Sequence, residues 1–361
     1  MSWALAFVGF ALLVILHELG HFAVAKAVGM RVEKFSLFFP PTLMSKKVGE
    51  TEYAIGAIPA GGYVKISGMN PDEELPEEVR DRAYHAQPVW KRIAVILAGP
   101  AVNLLVALLL LLVFWGAIGP ETATDRVGTI EKGYPAAEKL EPGDRLVSVD
   151  GVTGEPERLS EAIQAHRCDE EPPTDGCRAS SPAELVVERG REPRTISVTP
   201  VYDAQEGVER TRIGFGYAAG PREALPLGEA LSTSLDQFWF ITKQTVSLPA
   251  RIFDAERRKE ISGIIGSYEV TRQTILNDIA EVVLIMALIS LSLAIVNLFP
   301  FLPLDGGHIF WAVVEKVRGK PVPLRVMEQS GVLGFMLVIG LFLIGLSNDI
   351  GRLSGEGFTP P

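Results

Sequence analysis

Two of the five histidines in this 361-residue chain stand four positions apart, in the stretch ILHELGHFAVAK at residues 15–26. On a helix, positions i and i+4 lie one turn apart on one face, so both imidazoles can reach a single ion. Glu18, beside the first histidine, can then approach a water held on that ion. His-Glu-x-x-His on a helix is the zinc-peptidase arrangement, with His17 and His21 as ligands and Glu18 as general base. The surrounding residues are apolar enough to read as membrane. Ionisable groups there are costly, roughly 2.5–3.5 kcal/mol for a charge at a helix centre, and they mark function. Chance and structurally buried histidines are the competing readings, and three polar groups inside one apolar run weigh against both.

A catalytic zinc takes three protein ligands and leaves one position for water. The best source of the third is NLFPFLPLDGGH, residues 297–308. Pro300 and Pro303 break a helix there, and Gly306-Gly307 lets the backbone turn. Asp305 in that broken segment is the expected carboxylate ligand. His308 is a rival, more simply read as a hydrogen-bond donor of the loop.

Four apolar runs, 2–28, 93–118, 279–300 and 327–346, are near or above the ~20 residues that cross a bilayer. The first lacks a basic start and a clear cleavage site, so it reads as a span and not as a signal peptide. Segment 29–92 carries nine Lys/Arg and segment 309–326 carries four, against none before the first span. Positive charge stays in the cytosol. Both termini and residues 119–277 are therefore expected outside, with the metal toward the cytosolic side of a bacterial plasma membrane. The net charge of −10 is concentrated in 119–277, which holds 27 Asp/Glu and 19 Lys/Arg. No basic patch alternates with aromatics, which argues against nucleic acid. Cys168 and Cys177 fall in this outer region, where a disulfide is permitted.

The fold class expected is a polytopic α-helical membrane bundle of about four spans with a membrane-associated β-hairpin and an inserted extracytoplasmic α+β domain. Residues 34–68 are β-rich, and Tyr53–Ile58 with Tyr63–Ile66 reads as a hairpin around Pro59-Ala60-Gly61-Gly62. Residues 70–90 read as a solvated connector. In LAGPAVNLL, Asn103 is most simply an interhelical hydrogen-bonding residue. Residues 125–202 form a soluble unit, and its centre, GYPAAEKLEPGDRLVSVDG, resembles PDZ domains of bacterial membrane and envelope proteases. Residues 203–277 are a connector whose aromatic and aliphatic stretch suggests a helix on the outer leaflet or against the bundle. The flanking parts, 1–118 and 278–361, are two catalytic halves.

HELGH, GGYVKISG, AGPAVN, the PDZ-like unit and NLFPFLPLDGG occur in an order that resembles the site-2 protease family, most closely its bacterial RseP-type intramembrane zinc metalloproteases with one PDZ domain. The resemblance implies one zinc ion held by His17, His21 and Asp305, with Glu18 as catalytic base. It implies that Asn297 helps hold substrate and that Ile58, Gly62, Tyr63 and Val64 present a strand edge to it. The implied activity is regulated intramembrane proteolysis of a pre-cleaved single-pass membrane protein, of the anti-sigma-factor or remnant-signal-peptide class. The implied partners are that substrate, an upstream site-1 protease and peptide ends at the PDZ domain. Residues 261–269, ISGIIGSYE, match the family's Ser-Gly-Pro-Val-Gly-Ile element only loosely. The alternatives are a catalytically silent PDZ adaptor, which needs neither motif, and an ion- or proton-coupled transporter, for which no internal repeat is visible.

Overall fold

The computed structural model describes residues 2–70, 73–170, 172–204, 210–251, 280–320 and 322–354, with 258, 263, 266–269, 272 and 278. In chain order the elements are helix α1 (Ser2–Ala27), strands β1 (Val32–Val48) and β2 (Thr51–Ile66), and helix α2 (Val89–Val113). Strands β3 (Glu121–Ile130) and β4 (Arg145–Val149), helix α3 (Pro156–Gln164), and strands β5 (Ala183–Arg189) and β6 (Glu192–Val198) follow. Strands β7 (Val201–Asp203), β8 (Arg210–Arg212) and β9 (Phe215–Arg222) then lead to helices α4 (Leu227–Arg251), α5 (Glu281–Asn297), α6 (Asp305–Arg318) and α7 (Leu324–Ser354). Contacts divide the chain into two units: Met1–Ile118 with Ala224–Pro361, and the insert Gly119–Glu223.

Among the described residues, three helical segments are long and apolar enough to cross a membrane: Ala6–Ala27, Val89–Ile118 and Arg325–Arg352. α5 is apolar as well, but at 17 residues it is shorter than a usual span. Helix α4 packs on α2 and α5, where Ile241 joins Ala107, Leu291 and Ile295 in one buried cluster. Of the alternatives for the connector, packing on the bundle is the one observed for residues 227–251. Residues 261, 262, 264 and 265 of the 261–269 element lie outside the described residues.

The β-region departs from the expected hairpin. Tyr53–Ile58 and Tyr63–Ile66 are extended, but both belong to β2 and they do not pair with each other. The first part of β1 lies between them, for Phe35 opposes Val64 on one side and Tyr53 on the other. Tyr53 in turn opposes Lys46 of the second part of β1. The cause is Phe38–Pro41. Phe38 sits at φ 72, and two prolines without N–H groups follow, so β1 cannot run straight and its two parts pair separate lengths of β2. The Pro59–Gly62 stretch connects across the intervening strand and makes no tight turn.

In the insert, five strands pair in the order β6-β5-β4-β3-β9, and β7 pairs with β8. Alternation in β5 turns Ala183, Leu185 and Val187 into a core with Val127, Leu146, Leu159, Ile163, Val198 and Ile213. β9 pairs with β3, Phe215 opposite Ile130, so this unit closes with a strand beyond the 125–202 limits read from the sequence. Cys168 and Cys177 are disulfide-bonded across the acidic, Pro-rich loop.

The Pro142-Gly143-Asp144 turn is locked by charge. Asp144 is 2% exposed, and Arg189 of β5 donates Nε to its Oδ1 and Nη2 to its Oδ2, each at 2.7 Å. The guanidinium holds this carboxyl below the usual carboxylate range. A group whose folded pKa is depressed stabilises above its unfolded value and loses that stabilisation as pH falls through the folded one. The insert is therefore expected to lose thermal stability as pH drops below about 4. Asp144→Asn should flatten that dependence, and Arg189→Leu should cost about 3 kcal/mol near neutrality by leaving a buried carboxylate without its cation. Calorimetry of the full-length protein in detergent measures all three.

Candidate metal centre

Helix α1 presents His17 and His21 on one face, 6% and 7% exposed. Their Nε2 atoms are 3.2 Å apart. Oδ2 of Asp305, almost 290 residues later in the chain, lies 3.2 Å from His17 Nε2 and 3.3 Å from His21 Nε2. Among the described residues this is the group of His, Cys, Asp and Glu side chains able to hold a metal ion.

Proton accounting tests whether a cation fits. His21 Nδ1 lies 2.8 Å from the Val95 carbonyl oxygen, which can only accept, so Nδ1 carries the proton. In the neutral ring Nε2 is then a bare lone pair, aimed at a carboxylate oxygen that is also only an acceptor. His17 Nδ1 and Asp305 Oδ2 are buried without a hydrogen-bond partner. With His17 in the same tautomer, three acceptors converge on one point and repel one another unless a cation lies among them. With zinc–nitrogen and zinc–oxygen bonds of about 2.0–2.2 Å, tetrahedral donors stand roughly 3.3 Å apart. The observed triangle matches, so the donor set fits zinc. The Val95 carbonyl is the outer partner that fixes ring tautomer and orientation.

Asp305 is not in a broken segment, as the sequence suggested. Pro300 and Pro303 do end α5, but Asp305 is the first residue of α6, and Gly306 and Gly307 are helical. They serve close approach: a Cβ on Gly306 would lie 2.1 Å from the Leu298 carbonyl oxygen, so the start of α6 presses on the end of α5. His308 is likewise helical and no loop donor, and it is not among the three clustered donors. Asn297 closes α5 with its Nδ2 3.5 Å from His17 Nε2. Glu18 faces β2. A Cβ on Gly62 would come within 3.1 Å of Glu18 Cγ, and the Val64 backbone interacts with the Glu18 carboxylate. Ile58 and Tyr63 associate with Phe39 instead, Ile58 by strand pairing and Tyr63 by ring stacking at 6.3 Å.

The Asn103 side chain makes no interhelical hydrogen bond. It is fully buried and its amide has no partner among the described residues, whereas its backbone carbonyl accepts from Ser290 Oγ of α5 at 2.9 Å. The helix pair is bonded there by main chain, because the small serine reaches α2 where the amide does not. Sequence reasoning missed the groups that position the ligands. A Cβ on Gly20 would lie 2.6 Å from the Ala98 carbonyl oxygen, and one on Gly99 would lie 2.3 Å from His21 Nε2. These two glycines let α1 and α2 touch and give the imidazole its place. Both stood inside noted motifs, HELGH and AGPAVN, but their pairing needs the helix contact. Arg92 of α2, 8% exposed, holds Glu315 of α6 in a two-pronged ion pair at 2.9 and 2.6 Å. It ties the helix that seats His21 to the helix that carries Asp305, and each half alone looked like an ordinary flanking charge.

Comparison with known families decides the affiliation. The family model described as Peptidase family M50 matches residues 5–341. The chain belongs to peptidase family M50. A zinc-metalloprotease-named protein of Brucella suis is 30% identical, covering 93% of this chain and 92% of that protein. One from Nostoc is 32% identical, covering 99% and 98%, and one from Clostridium perfringens is 30% identical, covering 96% and 97%. Those relatives are named for zinc, and the donor triangle of this M50 peptidase fits that metal.

Gly99→Ala tests the positioning argument. The added methyl displaces the His21 ring, and zinc affinity is expected to fall about 10- to 100-fold, as for loss of an outer-sphere partner. Competition with a calibrated chelator measures it.

Proposed function

We propose that this M50 peptidase is an intramembrane protease that hydrolyses a peptide bond within or beside the transmembrane segment of a single-pass membrane protein already trimmed by another protease. The observation that carries the reading is that His17 and His21 are buried on a helix apolar enough to cross a membrane and that Asp305 meets them there. His17, His21 and Asp305 are the residues that would hold zinc, with Glu18 beside them. An adaptor needs no such donor set, and a proton relay does not need three acceptors forced into one triangle.

A transmembrane helix satisfies its own backbone, so its peptide bonds are closed to attack until it unwinds locally. The Gly62–Ile66 part of β2 supports strand addition: β1 covers one side of it, and Gly62 and Val64 lie against Glu18. An extended substrate there regains hydrogen bonds and brings its scissile carbonyl to the centre. Bound zinc supplies Lewis-acid polarisation and a more acidic water. The Glu18 carboxylate takes the proton of the attacking water and returns it to the leaving amide nitrogen. The Asn297 side-chain N–H donates toward the substrate backbone or the developing oxyanion.

The Lys/Arg distribution supports an orientation with both termini and the insert outside a bacterial plasma membrane and the centre toward the cytosolic face. His17 and His21 lie late in α1, and Val95 and Gly99 early in α2, so the centre sits near one end of both helices. We read the insert as a single PDZ domain that binds peptide ends or excludes bulky ectodomains. The substrate class is an anti-sigma factor or a remnant signal peptide, which makes the activity regulated intramembrane proteolysis.

Glu18→Gln should retain zinc yet lose cleavage, by at least about 100-fold for a general base; robust turnover by that variant would remove its assigned role. Asp305→Ala should lose most zinc by elemental analysis, and undiminished content would move the ligand role to His308. Val64→Pro should spare zinc while impairing cleavage of a membrane substrate, since it removes an N–H of the strand. Normal cleavage there would take the strand out of the mechanism.

A further inference from the structure

Two polar groups of the membrane unit are buried without partners among the described residues: Nδ1 of His17 and both ends of the Asn103 side-chain amide. Their needs are complementary. Nε2 of His17 faces the other two metal donors, so the ring proton belongs on Nδ1, which must donate. The amide of Asn103 offers an oxygen that accepts. Asn103 is fully buried, and an apolar residue of its shape would fill the same place without leaving a donor and an acceptor dry.

Helix packing brings the two to one seam. Lys91 at the start of α2 donates to the carbonyl of Val28 just past α1, and Gly20 lies against Ala98 and Val102, so α1 and α2 run antiparallel. Val95 and Gly99 seat His21. His17 is one turn back along α1 and Asn103 one turn on along α2, so they stand at matching levels. The face agrees with the level. Gly99, a turn before Asn103, meets α1, while Ala107, a turn after it, packs with Leu291 and Ile295 of α5. Ser290 of α5 also bonds the Asn103 main-chain carbonyl. Asn103 is thus on the part of α2 turned to the seam between α1 and α5. His17 enters that seam too, for Asn297 of α5 lies 3.5 Å from its Nε2.

We propose that Asn103 is the outer partner of His17, its side-chain oxygen receiving the Nδ1–H through one bridging water, as the Val95 carbonyl receives that of His21 directly. The assignment rests on the zinc reading of the donor triangle. A water between a buried donor and a buried acceptor satisfies both. The bond fixes the tautomer and tilt of the ring and makes Nε2 the stronger ligand. Asn103 is thereby a positioning residue that acts through His17.

The test measures zinc affinity of the full-length protein in detergent, by competition with a calibrated chelator, and the ring N–H signals of isotope-labelled histidine by NMR. The zinc-loaded wild-type protein should show Nδ1–H signals protected from solvent exchange for both His17 and His21. Asn103→Leu keeps the shape and removes the acceptor, so zinc affinity should fall about 10- to 100-fold. The His17 N–H should lose its protection in that variant while the His21 N–H keeps it. Asn103→Asp keeps the acceptor and should hold zinc within about threefold of wild type, or more tightly. A packing role gives the opposite order, because leucine suits an apolar bundle and an unpaired carboxylate does not. Undiminished affinity in Asn103→Leu, or a loss in Asn103→Asp as large as in Asn103→Leu, overturns the assignment. So does a zinc-loaded wild-type protein without a protected His17 N–H, a result that needs no variant to fold. Each of these leaves the protease reading standing, since cleavage by the wild-type protein is measured separately. A wild-type protein that binds no zinc removes both.

Discussion

Three lone-pair-bearing atoms pressed together inside an apolar bundle are the constraint on which the membrane unit depends. His17 Nε2, His21 Nε2 and Asp305 Oδ2 stand 3.2–3.3 Å apart, and the proton on His21 is committed to the Val95 carbonyl. Such a cluster is unfavourable alone and becomes favourable around a divalent cation, which couples metal binding to the packing of the helices. Helix α1 must meet α2 at Gly20 and Gly99, and α6 must press on the end of α5 at Gly306. The Arg92–Glu315 pair holds the two ligand-bearing sides together from α2.

The sheet beside α1 has a different task. Its fold is set by Phe38, Pro40 and Pro41, which break β1 so that its halves pair separate parts of β2. Gly62 and Val64 are thereby carried to Glu18. A simple hairpin from Tyr53 to Ile66 would have paired its two arms with each other and left no strand between them. The bent strand thus sets β2 beside the helix that carries His17, Glu18 and His21.

The insert rests on physics of another kind. Its core is the alternating face of β5 with neighbours from β3, β4, β6 and α3, and its polar lock is Asp144 with Arg189. The lock turns an acidic residue of a Pro-Gly-Asp turn into a buried anchor for β5, so local turn chemistry and sheet register support each other. Unit boundaries reflect the same closure: β9 joins β3 from a position well downstream, and a limit drawn where the alternating strands thin out falls short of it.

Sequence alone marked the helical pair of histidines with Glu18 between them, the grouping of Asp305 with that pair, most of the apolar segments and the approximate position of the insert. These are legible because helical period, span length and ligand chemistry are local properties of the chain. Tertiary structure decided the rest: the strand inserted between the two expected hairpin arms, the helical setting of Asp305, the buried amide of Asn103, and the supporting roles of Val95, Gly99, Arg92 and Glu315. Each of those depends on a contact between residues far apart in sequence, and a carbonyl, a missing methyl group or one half of an ion pair carries no local signal of the partner it will meet.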